Sequence, residues 1–196
     1  PMTTGRVSRE RRGGVLLIGL DRAAKRNAFD LALWDDLCRA YGELERDDEL
    51  RCGVLHAHGD HFTGGLDLPQ WVPMFSSGSW NIADGGLDPL GLTGPRLRKP
   101  IVAAVQGITY TIGIEMVLAC DIVVAADDAR FCQMEAKRGL APLAGGNFRF
   151  LTRMGWGDAM YHLLLVDEFG AAEAHRIGLV QEVVPAGSQV ERALEL

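Results

Sequence analysis

The sequence is poor in the patterns that mark metal and disulfide sites. It has four cysteines among 196 residues, and none stands in a CxxC pair or at a Cys/His ligand spacing: Cys38, Cys52, Cys120 and Cys132. Three of them lie in apolar segments, where a reduced cysteine packs as a small hydrophobic side chain. The sequence therefore predicts reduced core thiols in a cytoplasmic protein, rather than a disulfide framework or a zinc site.

Excess positive charge and unbroken apolar runs are also missing. The formal net charge is -6, which gives no electrostatic case for binding nucleic acid or an anionic membrane. The longest apolar stretch, residues 101–126, is interrupted by Gln106, Gly107 and Glu115, so it does not fit a bilayer span. The N-terminus is polar and basic, so no signal peptide is predicted. We expect neither a nucleic-acid nor a membrane partner.

The composition is that of a folded globular domain. Hydrophobic residues make up 47% of the sequence and charged residues 23%. The length favours one domain over residues 1–196 with a substantial core. Residues 1–12 are predicted to be a polar N-terminal tail. Residues from about 186 to 196 are predicted to start a C-terminal helical region that is incomplete.

Hydrophobic periodicity predicts alternating strands and helices, and so an α/β fold. Predicted strands cover residues 15–20, 52–57, 101–105, 121–126, 130–132 and 179–184. Predicted helices cover residues 31–45, 112–119, 147–154, 157–166, 171–177 and 190–196. Asp30 is the predicted N-cap of the first helix. Residues 69–99 show few regular signals and are predicted to be a long functional loop.

One charge interrupts the otherwise apolar helix at 112–119. Glu115 lies one turn into it, and a buried carboxylate is costly unless it is paired, hydrogen-bonded or neutral. A second carboxylate, Glu135, follows the next pair of strands. Two carboxylates beside a polarised carbonyl would suit general acid/base chemistry.

Two glycine-containing turns, each following a strand, supply free backbone amides. The first turn contains Gly64, Gly65 and Leu66, and the second contains Ile112 and Gly113 at a helix start. The first N–H groups of a helix have no partner within the helix. Two such amides aimed at one point would form an oxyanion hole.

Each of these features also has a purely structural interpretation. Glu115 could be a core carboxylate bonded to a neighbouring amide, and Glu135 could form a surface ion pair with Lys137 or Arg138. Adjacent glycines are often only turns. His56, His58 and His61 could suggest metal binding, but no further ligand pattern accompanies these three histidines. Spacing alone leaves these alternatives open.

Five motifs in order resemble the crotonase family, also called enoyl-CoA hydratase/isomerase. The resemblance runs from about residue 15 to about residue 185. The segments that carry it are HFTGGLDL (61–68), KPIVAAVQG (99–107), IGIEMVLACDIVVAADDARF (112–131), EAKRGLAPLAGGNFRF (135–150) and AAEAHRIGLVQEVVP (171–185).

The resemblance implies a crotonase-like spiral of ββα units, with the family's C-terminal helical segment truncated or missing. It further implies an acyl-CoA thioester substrate, as in fatty-acid β-oxidation. It implies no metal and no cofactor apart from the coenzyme A of the substrate. A homo-oligomer, a trimer or hexamer, is expected on the same ground.

The resemblance also implies residue roles. The thioester oxygen would be bound by the N–H groups of Leu66 and Ile112, and Glu115 and Glu135 would activate water and supply the proton. The coenzyme A part would lie along Lys25, Arg26, Ala28, Gly64, Gly65, Asp67 and Leu68. The acyl pocket would include Tyr110, Thr111, Gly113 and Pro142. Because hydratases of the family keep both glutamates, the pair favours an enoyl-CoA hydratase.

Some positions depart from the family pattern. Thr111 and Ile112 stand where the family has glycines, and Met134 replaces a common proline before Glu135. We expect these changes to affect substrate choice more than the reaction. An isomerase, a hydrolase and a non-catalytic protein that binds CoA esters remain the alternatives.

Overall fold

A computed structural model describes residues 4–77, 80 and 82–196. Within them the strands are β1 (Arg6–Arg12), β2 (Val15–Asp21), β3 (Cys52–Ala57), β4 (Ile101–Val105), β5 (Ile108–Tyr110), β6 (Ile122–Ala126), β7 (Arg130–Cys132), β8 (Phe169–Gly170) and β9 (Glu182–Val184). The α-helices are α1 (Leu31–Arg46), α2 (Leu68–Ser77), α3 (Ile112–Ala119), α4 (Gly146–Leu165), α5 (Ala171–Arg176) and α6 (Gln189–Glu195). Short 3₁₀ turns lie at Ala23–Lys25 and Glu135–Arg138.

The larger sheet has the strand order β1-β2-β3-β4-β6-β9 in the described part of the chain. β1 pairs antiparallel with β2, and the other pairs are parallel. β2, β3, β4 and β6 are short runs of mostly Val, Ile, Leu and Ala, because both faces of these parallel strands are buried. The larger side of the core lies against α1 and α3, and the smaller side lies against α6.

A second sheet, β5-β7-β8, turns the chain toward the candidate site. Each of its first two strands follows a strand of the larger sheet at once, β5 after β4 and β7 after β6. A helix comes next in both cases, α3 after β5 and, beyond a 3₁₀ turn, α4 after β7. Each of the two stretches, β4-β5-α3 and β6-β7-α4, is therefore a ββα unit, and together they confirm the expected crotonase-like α/β fold.

Most predicted elements are present with small changes of boundary. The strands at 52–57, 101–105 and 130–132 and the helix at 112–119 have the predicted ends. The predicted helices at 147–154 and 157–166 fall in one span, α4, which ends one residue earlier at Leu165 and leaves helical geometry at Gly155 (φ 77°, ψ 171°). Asp30 caps α1 as predicted, since its Oδ1 accepts the Leu33 N–H at 2.8 Å.

The prediction of a polar tail at residues 1–12 was wrong for the residues that the structure describes. Residues 6–12 form β1, in register with β2 from Arg6 opposite Asp21 to Arg12 opposite Val15. An edge strand with one exposed face needs few apolar residues, and charged side chains protect such an edge from pairing with other chains. Only Val7 of this strand is buried, so hydrophobic periodicity gave no strand signal.

The predicted loop at residues 69–99 contains a helix. α2 covers residues 68–77, and Pro73 lies inside it, which weakened the helix signal. Trp71 of this helix is buried and donates its Nε1–H to the Phe29 carbonyl at 2.8 Å. Residues 78, 79 and 81 of the predicted loop lie outside the described part.

Candidate active site

The first candidate amide lies in the turn after β3. Gly65 has φ 112°, a conformation that favours glycine, and its carbonyl accepts the Phe29 N–H at 2.8 Å. The Asp67 N–H donates to the Phe29 carbonyl at 2.8 Å. These two bonds fix the backbone on both sides of Leu66. The Leu66 N–H itself donates to no acceptor within residues 4–77, 80 and 82–196.

The second candidate amide belongs to Ile112, the first residue of α3. It too has no acceptor in the described part of the chain, as expected for the first N–H of a helix. The segments around the two amides are hydrogen-bonded to each other through Thr63. Its N–H donates to the Ile108 carbonyl at 3.0 Å, and its carbonyl accepts the Tyr110 N–H at 3.1 Å.

We call residues 63–66 and 111–115 together the amide corner. Its close packing accounts for its glycines. A Cβ on Gly113 would lie 2.5 Å from Thr63 Cγ2, and a Cβ on Gly65 would lie 2.6 Å from Thr111 Oγ1. The sequence prediction that the two glycine turns meet is consistent with this geometry. Two unpartnered amides in such a corner can stabilise negative charge on a substrate oxygen.

Glu115 lies on α3 within the same corner and is only 3% exposed. Its Oε1 accepts the Gly146 N–H at the start of α4, at 2.9 Å. Burial, which disfavours the charged form, raises the pKa of the Glu115 carboxyl to about 8, and the nearby charge of Glu135 adds to the rise. The hydrogen bond from Gly146 works in the opposite direction. A carboxyl with this pKa can exchange protons near neutral pH.

Glu135 begins the 3₁₀ turn after β7 and is half-buried. Its Oε2 accepts the Gln133 Nε2–H at 2.9 Å. Burial also raises the pKa of Glu135. The alternative of a surface ion pair does not hold, because Glu135 forms no ion pair with any described residue. Lys137, one of its proposed partners, donates instead to the Val166 carbonyl at 3.0 Å.

The predicted coenzyme A segment lies beside the amide corner. Lys25 and Arg26 are exposed, and Arg26 has φ 50°. The Arg26 carbonyl accepts the Gly64 N–H at 2.8 Å, which joins this segment to the turn after β3. Ala28 is half-buried, and its carbonyl accepts a hydrogen bond from Arg22 Nη1 at 2.9 Å.

Sequence reasoning missed Asn27, which lies within that segment and is fully buried. Its Oδ1 accepts the Arg22 N–H at 2.7 Å, and its Nδ2 donates to the carbonyls of His58 and His61, each at 2.8 Å. Its φ of 50° lies in the left-handed region, which asparagine tolerates better than most residues. The sequence offered only one signal, an asparagine in the polar loop at residues 21–28, where a turn residue of this type can adopt a positive φ.

Arg22 is a second residue that the sequence did not single out. Its buried side chain pairs with Asp30 at 3.1 Å and with Asp67 at 2.8 Å. Asp67, predicted to contact coenzyme A, is thus a structural partner of this arginine. Leu68, predicted with it, begins α2 and is 42% exposed.

Two of the predicted pocket residues, Pro142 and Tyr110, lie close to different glutamates. Pro142 is close to Glu115: a Cβ on Gly146 would lie 2.9 Å from Pro142 Cβ and 2.9 Å from Glu115 Oε1. The hydroxyl of Tyr110 donates to Glu168. Partial burial, together with this bond, raises the pKa of Tyr110 to about 12, so this hydroxyl stays protonated at neutral pH.

The rings of His56 and His58 are in contact, with centroids 5.2 Å apart, but the three histidines form no metal-binding group in the described part of the chain. His58 Nε2 lies 2.7 Å from Ser8 Oγ, and His61 Nδ1 accepts the Ile108 N–H at 3.3 Å. Among the described residues no group of three His, Cys, Asp or Glu side chains is placed to hold a metal ion. Nor does any described helix have the length and apolar character that crossing a bilayer requires.

The family model for enoyl-CoA hydratase/isomerase matches residues 10–196, which include the amide corner and both glutamates. The chain belongs to this family. A similar member is enoyl-CoA hydratase EchA19 of Mycobacterium tuberculosis, 35% identical over 190 residues, which are 95% of this chain and 71% of that relative. Mevalonyl-coenzyme A hydratase of Beauveria bassiana is 35% identical over 92% of this chain and 67% of its own length.

Solved structures of family members share the fold. A probable enoyl-CoA hydratase/isomerase from Mycobacterium abscessus matches with a TM-score of 0.94 and 45% identity, over 100% of this chain and 74% of that one. An enoyl-CoA hydratase from Mycobacterium tuberculosis matches with a TM-score of 0.85 and 32% identity, over 97% and 73%. The enoyl-CoA hydratase/isomerase fold therefore extends over the whole chain.

Proposed function

We propose that this protein is an enoyl-CoA hydratase, which adds water across the 2,3 double bond of a 2-trans-enoyl-CoA. The observation that carries the proposal is the pair Glu115 and Glu135, each with a raised pKa and close enough for one charge to affect the other. The names of its relatives, such as EchA19, support the same activity. Fatty-acid β-oxidation is a pathway that uses this reaction.

In this reaction the thioester oxygen is bound by the N–H groups of Leu66 and Ile112. The oxygen of a water molecule bonds to C3 while the ionised carboxylate of the pair takes one proton from it. The electrons of the double bond shift toward the thioester oxygen, whose negative charge the two amides stabilise. The carboxyl of Glu135 then gives its proton to C2, and the pair ends with the one proton it started with.

The raised pKa values suit this sequence of steps. Glu115 must be ionised to accept the proton of water while Glu135 is protonated to donate one, so the pair must hold a single proton. Because Glu115 has the pKa of about 8, it holds that proton at neutral pH and passes it to Glu135 before water adds. As the pH rises above about 8, the pair loses its last proton, since the pKa of Glu115 is about 8. We expect the rate to fall above that pH.

The substrate's coenzyme A part is proposed to lie along Lys25, Arg26 and Ala28. Two of these side chains are exposed and cationic, and the segment is joined to the turn after β3 by the hydrogen bond from the Gly64 N–H to the Arg26 carbonyl. The reaction needs no metal and no further cofactor. Assembly into a homo-oligomer, a trimer or hexamer, and a cytoplasmic location belong to the same proposal.

The test is turnover of a short 2-trans-enoyl-CoA, followed by the loss of the conjugated-thioester absorbance. Glu115→Gln and Glu135→Gln are each expected to lower kcat by roughly 10²–10⁴-fold, because each removes one proton-transfer group. Glu173→Gln is the matched control, since Glu173 pairs with Arg176 on the surface at 2.7 Å. It should leave turnover unchanged.

Other results would change the assignment. Turnover of another acyl-CoA that survives loss of one glutamate would favour an isomerase or a hydrolase. Binding of acyl-CoA without any turnover would favour a non-catalytic role.

A further inference from the structure

Thr111 occupies a strained backbone conformation between the two candidate amides. Its φ of 51° and ψ of −115° lie in a region that glycine populates and that is unfavourable for a β-branched residue. Its N–H donates to the Cys132 carbonyl at 3.0 Å, and its carbonyl accepts the N–H groups of Ile114 and Glu115 at 2.9 and 3.2 Å. Such strain persists only where the surroundings hold the backbone in place, and it often occurs at functional sites.

The Thr111 side chain fills the space beside Gly65. A Cβ on Gly65 would lie 2.6 Å from Thr111 Oγ1 and 3.8 Å from Thr111 Cβ. Gly65 directly precedes Leu66, and Thr111 directly precedes Ile112, so this contact joins the residues just before the two amide donors. The hydroxyl makes no hydrogen bond to a described residue, so the contact depends on shape.

The turn that carries Leu66 is held by several contacts, one of which is with Thr111. Gly64 and Gly65 are adjacent glycines, which give the backbone wide conformational freedom. On the side of residues 26–29 this freedom is limited by hydrogen bonds to Arg26 and Phe29, both 2.8 Å long. Thr111, directly before α3, contacts the turn from the other side.

We propose that Thr111 is a positioning residue of the oxyanion hole: its side chain, in contact with Gly65, sets the separation of the Leu66 and Ile112 N–H groups. This inference rests on the proposed function. Oxyanion donors act at about 2.7–3.1 Å from the oxygen that becomes charged. A misplacement of about 1 Å can lower a rate about 100-fold, so a side chain that fixes the spacing affects kcat.

Three variants of the full chain separate this role from a general effect on folding. Thr111→Ser keeps Oγ, and Thr111→Ala lacks only Oγ by comparison, so these two form a matched pair at the same strained position. Thr111→Gly removes the contact and the strain together. We expect the Ser variant to keep kcat within roughly threefold, and the Ala variant to lose roughly 10–100-fold with KM little changed. The Gly variant should lose kcat to a similar extent without a lower melting temperature.

A second measurement does not depend on hydration. Acetoacetyl-CoA forms an enolate when it loses its C2 proton to solvent, and oxyanion donors favour that form. The ultraviolet absorbance of the bound enolate should be strong in the wild type and the Ser variant. It should be weak in the Ala and Gly variants.

The outcomes distinguish the two proposals. Equal kcat and equal enolate absorbance in the Ser and Ala variants would overturn the role of Thr111, while wild-type hydration would still stand. If the wild type fails to hydrate enoyl-CoA but the enolate absorbance still separates Ser from Ala, the proposed function fails and the positioning role holds. A parallel loss of kcat and melting temperature in the Ala and Gly variants would show a structural role only, against the proposal.

Discussion

The four central strands, β2, β3, β4 and β6, and the amide corner are neighbours in the chain but are built in different ways. The strands bury apolar side chains such as Leu16, Ile18 and Val124 completely, and their backbones are regular. The amide corner combines a buried carboxylate, two unpartnered amides and a threonine at φ 51°. Each of these features costs free energy.

The contrast shows that the sheet stabilises the fold, while the amide corner contains groups that destabilise it. A regular apolar sheet supplies the hydrophobic free energy that lets a small adjacent region keep unfavourable groups in place. The bonds at the corner's edges, such as that from Gly146 to Glu115, then hold those groups in one geometry. Changes in the sheet should therefore alter stability, and changes in the corner should alter chemistry.

The largest effect on stability is expected from Ile18→Ala. Ile18 is fully buried in β2, between Arg9 of β1 and Leu55 of β3. Removing a buried Ile side chain should lower the free energy of unfolding by about 2–5 kcal/mol, because apolar burial is lost and a cavity remains. Urea unfolding measures the loss. Turnover at a temperature where the variant is folded should stay within roughly twofold.

A substitution in the amide corner should have the opposite effect. The Thr111→Ala variant should lose turnover while its unfolding curve stays near that of the wild type. If Ile18→Ala also lost its kcat while folded, the two regions would not be separable.

Sequence patterns located the sheet better than the corner. Residues 52–57 and 101–105 are apolar runs bounded by polar or turn residues, and runs of this kind identify buried strands. Glu115 could be identified from the sequence because a carboxylate in an apolar helix is costly to bury unless it is paired, hydrogen-bonded or neutral. β1 and α2 were missed because charged residues and Pro73 hide the local signal, and only pairing and packing decide such segments.

The conformation of the corner could not be predicted in the same way. The φ of Thr111 contradicts its residue type, and the surrounding hydrogen bonds impose it. Asn27 gave no periodic signal, although its side chain is bonded to three backbone groups, two of them in the loop at residues 58–61. Both features depend on contacts between residues far apart in sequence.

An intermediate effect is expected from Asn27→Ala. It removes the hydrogen bonds of the Asn27 side chain to the Arg22 N–H and to the carbonyls of His58 and His61, which should cost about 1–3 kcal/mol. Because Asn27 lies within the proposed coenzyme A segment, KM for the acyl-CoA should rise by more than kcat falls. Steady-state kinetics and thermal unfolding measure the two effects. An unchanged KM with reduced stability would mean that Asn27, like the residues of the sheet, has a purely structural role.

Counted per pH unit, the smallest effect, and the one with a defined sign, concerns the stability of Glu115→Gln as a function of pH. The pKa of Glu115 is raised from 4.5 to about 8, so between these values the folded state binds more protons than the unfolded state. The free energy of unfolding of the wild type should then fall as the pH rises through this window, by up to about 1.4 kcal/mol per pH unit from this group. A glutamine can still accept the Gly146 N–H but does not titrate, so the variant should lack this part of the decrease. Its stability relative to the wild type should grow from pH 5 to pH 8 and level off above, although its turnover is lost. Parallel stability curves for the two proteins across this range would mean that Glu115 is not held neutral by the fold, and the contrast between sheet and corner would lose its main electrostatic support.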